Sequence, residues 1–261
     1  MSHDHLIEML DLDAQVLHEY FSDLIGWVGR EAAEHPRVVD LGAGSGTGSL
    51  ALARELPGAT VTAVDVSPDM LAHLRTRADA AGLGDRIRTI EADLDRPWPD
   101  LGPTELIWAA ASMHHMADPA AALASAYGAL RPGGLLVIAE LDSFPRFLVG
   151  TPDEDVELRG HVELARLRDE AGMHMHENWG DRMTQAGFAS VTERHFDIDL
   201  RPPLPPAGAR YAEVTLGRMG HRLEGRLSAP ELAALEKVVA GLADRADLSV
   251  RTERTVWLAR R

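Results

Sequence analysis

Between Asp11 and Glu34 the apolar residues Leu12, Val16, Leu17, Tyr20, Leu24, Trp27 and Val28 recur at steps of three and four. That is the period of a helix with one buried face, and it predicts one amphipathic helix, or two in succession. The pattern then shortens. Arg37–Leu41 (RVVDL), Thr60–Asp65 (TVTAVD), Arg86–Glu91, Glu105–Ala110 (ELIWAA) and Leu135–Leu141 (LLVIAEL) are near-continuous apolar runs of strand length. Helical stretches separate them: Thr47–Glu55, Pro68 to about Ala81 ending at Gly82, and a segment opened by Asp118 and Pro119 that runs to about Leu130. Aspartate suits an N-cap, proline the first helical position and glycine a helix end. Arg131-Pro-Gly-Gly134 reads as a turn before the fifth strand. Strands alternating with helices, and apolar on both faces, predict a parallel sheet covered on both sides.

After Leu141 the alternation stops. Residues 153–171 and 181–186 read as helices and 190–200 as a strand. Arg201-Pro-Pro-Leu-Pro-Pro206 reads as an extended spacer. Helical segments at about 207–224 and 230–246 follow, then a closing strand, Leu248–Leu258. No internal repeat is present.

Composition narrows the classes. Of 261 residues, 26 are Lys or Arg and 41 are Asp or Glu, a formal charge of −15. Nucleic-acid partners require a basic footprint, so this balance points away from them. With no cysteine, disulfides, thiolate metal ligands and a cysteine nucleophile are excluded. No apolar run reaches membrane-spanning length, and the acidic opening MSHDHLIEML does not read as a signal peptide. A cytoplasmic protein with no membrane partner is expected.

The chemistry-bearing stretch is Val38-Val-Asp-Leu-Gly-Ala-Gly-Ser-Gly-Thr-Gly48, placed between a strand and a helix. Glycine there allows positive φ and close approach of a ligand to the backbone. The dinucleotide fingerprint G-x-G-x-x-G fails in either frame, because Thr47 or Ser49 occupies the third glycine position. No Lys-Ser or Lys-Thr follows to make a P-loop. Asp65 lies nineteen residues after Gly46, at the tip of the neighbouring strand. A carboxylate at that place can accept from both hydroxyls of a ribose.

VVDLGAGSGTG, VTAVDVS, IEADL and LRPGGLLVIAEL, in this order over about residues 37–141, resemble the class I, Rossmann-like S-adenosylmethionine-dependent methyltransferases. The resemblance implies a doubly wound α/β sheet of seven strands, the last antiparallel, with S-adenosylmethionine as cofactor. It implies one methyltransferase domain over 1–261, with an N-terminal helical cap (1–35), a cofactor core (37–141) and substrate-covering segments at 143–178 and 202–247. Gly42, Gly44 and Gly46 match the loop beneath the methionine part of the cofactor. Asp40 matches the acid that orients that loop or the amino group, and Asp65 the ribose acid. Met70 matches an apolar flank of adenine. Asp93 matches the acid for the adenine amino group, with the Leu94 N–H meeting the ring. The loop Ala110-Ala-Ser-Met-His-His-Met-Ala-Asp118 matches the one beside the methyl group, which brings Ser112 to the cofactor and makes His114 or His115 candidates for a general base.

Tyr20, His161, His174, His176 and Trp179 are expected to line the substrate. No metal is assigned, although His174 and His176 with His161 or Glu177 form a conceivable alternative set. A small-molecule acceptor is the leading expectation. An RNA or protein methyltransferase, or a cofactor-binding protein without turnover, are the alternatives. The acceptor atom and the oligomeric state stay open.

Overall fold

Among the described residues seven strands lie in the order β3-β2-β1-β4-β5-β7-β6. They are β1 (Arg37–Leu41), β2 (Thr60–Asp65), β3 (Ile87–Glu91), β4 (Thr104–Ala110), β5 (Leu130–Leu141), β6 (Ser190–Leu200) and β7 (Val250–Arg260). The computed structural model describes residues 3–261; Met1 and Ser2, where the expected N-terminal cap begins, lie outside the described residues. The first five strands pair in parallel, and β7 runs antiparallel to β5. The expected doubly wound sheet with an antiparallel last strand is therefore present. Its strand order reverses between β1 and β4. Open α/β sheets bind ligands at the carboxyl ends of strands at such a reversal, which singles out the two loops that follow β1 and β4.

The helices are α1 (His3–Val16), α2 (His18–Glu31), α3 (Thr47–Glu55), α4 (Pro68–Ala80), α5 (Pro119–Ala129), α6 (Glu154–Glu170), α7 (Trp179–Gln185), α8 (Gly208–Arg222) and α9 (Ala229–Ala240). Their ends follow local chemistry. Asp118 caps α5 by accepting from the Ala120 and Ala121 N–H groups at 3.0 Å each, and Ser67 caps α4 through the Met70 N–H at 3.3 Å. One boundary differs from the expectation. β5 begins at Leu130, five residues before the apolar run, because Leu130 pairs with Thr104 and the register then slips to Leu135 opposite Leu106. Gly133 N–H and the Gly134 carbonyl are held by the main chain of Arg261, so the expected turn is drawn into the sheet.

The chain divides into two compact units. The larger comprises 19–141, 174–196 and 254–261. It contains most of the sheet, and its core includes Val39, Ile107, Ile138, Met183, Phe188 and Trp257. The smaller comprises 1–18, 142–173 and 197–253, and gathers α1, α6, α8 and α9. Within it, buried Tyr211 donates to Asp13 at 2.5 Å and stacks edge-on against Phe147. Buried Glu157 accepts from the Phe147 and Leu148 N–H groups at 2.6 and 3.0 Å.

Candidate active site

The loop after β1 is shaped by three left-handed residues, Gly42, Gly44 and Gly46, at φ of +67°, +52° and +87°. Side chains at two of these positions would also collide. A Cβ on Gly42 would lie 2.6 Å from the Ser112 Cβ, and one on Gly46 would strike Leu74. The loop is tied to β2 in two ways. The Val64 carbonyl accepts from the Gly42 and Ala43 N–H groups at 2.8 and 3.0 Å. Asp65 accepts from the Gly44 N–H with one oxygen and from the Ser67 N–H with the other, each at 2.8 Å. A carboxylate has about four acceptor positions, so each oxygen keeps capacity for a further donor. α3 starts at this loop with no side-chain cap, leaving its first-turn N–H groups for solvent or ligand.

Asp40 faces inward beneath the same helix. It is 2% exposed and accepts from the Ser49 hydroxyl at 2.6 Å. Burial pushes its pKa up to about 7, the Ser49 bond opposes that rise, and the charge of Asp65 adds to it. A carboxyl whose folded pKa exceeds its unfolded value favours the fold most when protonated. Its contribution is therefore full below about pH 4 and is lost as pH rises to about 7, with a slope of about 1.4 kcal/mol per pH unit. The Asp40→Asn variant is expected to lack this slope. Urea unfolding of both proteins from pH 4 to 8 checks it; parallel curves would refute the assignment.

The second loop follows β4. Ala111 takes φ +51° without being glycine, and a short turn over Met113–His115 succeeds it. This strained course is held by Glu140, near the end of β5. One carboxylate oxygen accepts from the N–H groups of Ser112, Met113 and His114 at 3.2, 2.8 and 3.3 Å, and the other lies 2.6 Å from His114 Nδ1. Glu140 and His114 are each 4% exposed. A carboxylate only accepts, so Nδ1 carries a proton, and in the neutral ring Nε2 is the acceptor nitrogen. The exposed His115 ring lies against His114, with centroids 4.2 Å apart. Ser112 donates to the Leu41 carbonyl at 2.8 Å, stitching this loop to the end of β1.

The remaining expected residues divide. Met70 is buried in the first turn of α4. Asp93 is half exposed, accepts from the Asp95 N–H at 2.9 Å and lies 3.7 Å from Arg96; Leu94 packs partly on the core. The His174 N–H donates to the His114 carbonyl at 3.0 Å. The His174 ring lies 3.2 Å from Glu177, which also accepts from Arg182 at 2.7 Å. The Arg182 bond, helped by His174, lowers the Glu177 pKa to about 2. His176 is exposed. His161 lies in the smaller unit, 3.9 Å from Glu157. Trp179, at the start of α7, is 1% exposed and packs in the cluster of Met183, Phe188 and Trp257. Tyr20 is likewise buried, with its ring edge-on to Phe21 and Phe196. Among the described residues no group of three or more His, Asp or Glu is arranged to hold a metal.

Glu140 is the residue of this site that sequence reasoning passed over. Its signal was a lone acid inside the apolar strand LLVIAEL, since a buried charge requires partners.

A family model described as a methyltransferase domain matches residues 38–134. A demethylmenaquinone methyltransferase from Clavibacter sepedonicus is 32% identical over 193 residues, covering 67% of this chain and 76% of that protein. A protein of the same name from Thermus thermophilus is 39% identical over 115 residues, 44% of this chain and 51% of that protein, so the chain spans about half the length of this relative. Among solved structures, the YcgJ protein from Bacillus subtilis superposes with a TM-score of 0.59 at 17% identity, covering 94% of this chain and 99% of that one; at that identity the likeness concerns the fold. Glycine loop, strand-end acid, reversed strand order and a relative matched over three quarters of its length converge, and the chain belongs to the class I, S-adenosylmethionine-dependent methyltransferases.

Proposed function

We propose that this protein transfers a methyl group from S-adenosylmethionine to a small-molecule acceptor. The observation that carries the reading is Asp65, whose two oxygens already hold Gly44 and Ser67 and keep acceptor capacity at the tip of β2. When bound, the cofactor supplies a methyl group activated by a positively charged sulfur. Gly42, Gly44 and Gly46 let the backbone approach it closely, and Asp65 accepts from its ribose hydroxyls. Asp93 accepts from the adenine amino group, with the Leu94 N–H against the ring and Met70 flanking it. Ser112 and the segment braced by Glu140 face the reacting end. There the enzyme's main task is to hold the acceptor in line, which can supply about 7–11 kcal/mol of a barrier. His114, through Nε2, or His115 takes the acceptor proton when one must leave.

A small acceptor is supported by the net charge of −15, which disfavours RNA, and by the relatives' names, both of which specify demethylmenaquinone. No helix among the described residues is long and apolar enough to cross a membrane.

Calorimetric titration with S-adenosylhomocysteine tests the cofactor. Saturable binding is expected, weakened about 10- to 100-fold in Asp65→Ala, the equivalent of ~1–3 kcal/mol for a lost part-buried charged acceptor. Methyl-labelled cofactor with a cell extract then tests the acceptor. Label in the low-mass fraction supports the reading. Label confined to macromolecules overturns the small-molecule part, and absence of binding overturns the whole.

A further inference from the structure

In the smaller unit α6 packs against α8 so closely that a Cβ on Gly160 would strike the Met219 thioether. Two turns beyond Gly160 on α6 stands Arg168, 7% exposed, its guanidinium carbon 3.4 Å from the centre of the Phe144 ring. On α8, Arg218 and Arg222 flank Met219 and lie one turn apart, on the same side of the helix. Among the described residues none of these three arginines has a carboxylate partner.

That is anomalous here. Acids outnumber bases 41 to 26 in this chain, and other arginines of the same unit are paired: Arg146 with Glu154, Arg210 with Glu8, Arg226 with Glu170 and Arg245 with Asp153. Burial drives the pKa of Arg168 down to about 10, and the charge of Arg222 pushes the same way. Arg218 is lowered by the same two causes in the same order. A buried cation with the Arg222 charge beside it is unfavourable unless an anion completes it. Phe144 stacks on the face of the Arg168 guanidinium, which leaves the in-plane N–H donors available for a planar or tetrahedral oxyanion.

We propose that Arg168, with Arg218 and Arg222 on the facing helix, forms a binding site for the oxyanion of an acidic small molecule, a carboxylate or a phosphate. The site belongs to the smaller unit alone, and the inference stands whether or not the chain transfers methyl groups.

Thermal unfolding of the full chain in citrate, in inorganic phosphate and in sodium chloride at matched ionic strength tests it. The wild type is expected to gain stability saturably from citrate, phosphate or both. A carboxylate ligand gives the response to citrate alone, and a phosphorylated one the response to phosphate alone. General salting effects instead rise without saturating and act equally on every variant. Without added anion, Arg168→Met is expected to melt about 2–4 °C above the wild type, because it removes a buried unpaired charge, and its anion midpoint should weaken at least tenfold. Arg222→Gln, at an exposed position, keeps the fold and should weaken that midpoint in the same direction. The proposal is overturned if neither anion gives a saturable gain, if both variants respond like the wild type, or if Arg168→Met melts lower in the absence of anion.

Discussion

Replacing Glu140 by alanine is expected to lower the thermal midpoint by about 6–20 °C. The carboxylate serves three successive backbone N–H groups and the His114 ring, with both side chains 5% exposed. Removing it strands these donors where water does not reach, and breaking a buried charged network costs about 3–5 kcal/mol. In a chain of this size each kcal/mol is worth about 2–4 °C. A melt followed by circular dichroism reads this directly, and a shift under 2 °C would mean that the loop does not depend on the carboxylate. Glu140→Gln separates structure from chemistry. Its amide oxygen can still accept from the Met113 N–H, but its amide nitrogen donates, so His114 Nδ1 must accept and the proton moves to Nε2. If His114 is the base, turnover falls about 10²- to 10⁴-fold while affinity for S-adenosylhomocysteine stays within a few-fold. Full turnover by this variant from pH 6 to 9 would remove His114 from the proton transfer.

Gly42→Val is the second large effect. A β-branched side chain at φ +67° is a steric outlier, and its Cβ would sit 2.6 Å from the Ser112 Cβ, an atom anchored to its own backbone rather than the end of a flexible chain. The seam between the two loops must open, and with it the Ser112 bond to the Leu41 carbonyl. We expect at least a 100-fold loss of S-adenosylhomocysteine affinity and about 2–4 kcal/mol of stability, by titration and urea unfolding. Gly82→Ala is the control. It shares a φ of +69° but meets nothing within 4 Å, so it should cost only the backbone term of ~1–2 kcal/mol and bind normally. Equal behaviour of the two variants would show that the collision is without consequence.

Much of this architecture was readable from residue order. The apolar runs that became β1, β2 and β4 are short and unbroken because both faces are covered. The glycine loop was legible because alternate left-handed positions demand one residue type. Asp65 was legible because a parallel strand of fixed length delivers its last residue beside the neighbouring loop. What was not legible shares a different character. The start of β5 is decided by Thr104 and Arg261, remote in sequence. The depth at which Trp179 is buried depends on Trp257, which β7 brings to it from far along the chain. Glu140 and Arg168 carry ordinary charged side chains whose meaning depends on whether a partner waits inside, and periodicity does not report that. Arg168 in particular reads as one more charge on a polar helix until its burial and the charges facing it are known.

Asp65 ties the loop main chain with both of its oxygens, a tie that needs no ligand to form. The disorder of a glycine-rich segment is thus removed once, as the protein folds, and not afresh at every encounter. Under the function proposed above, donor and product would meet the same bend of main chain, so a catalytic cycle could begin and end without the receptor having to re-form.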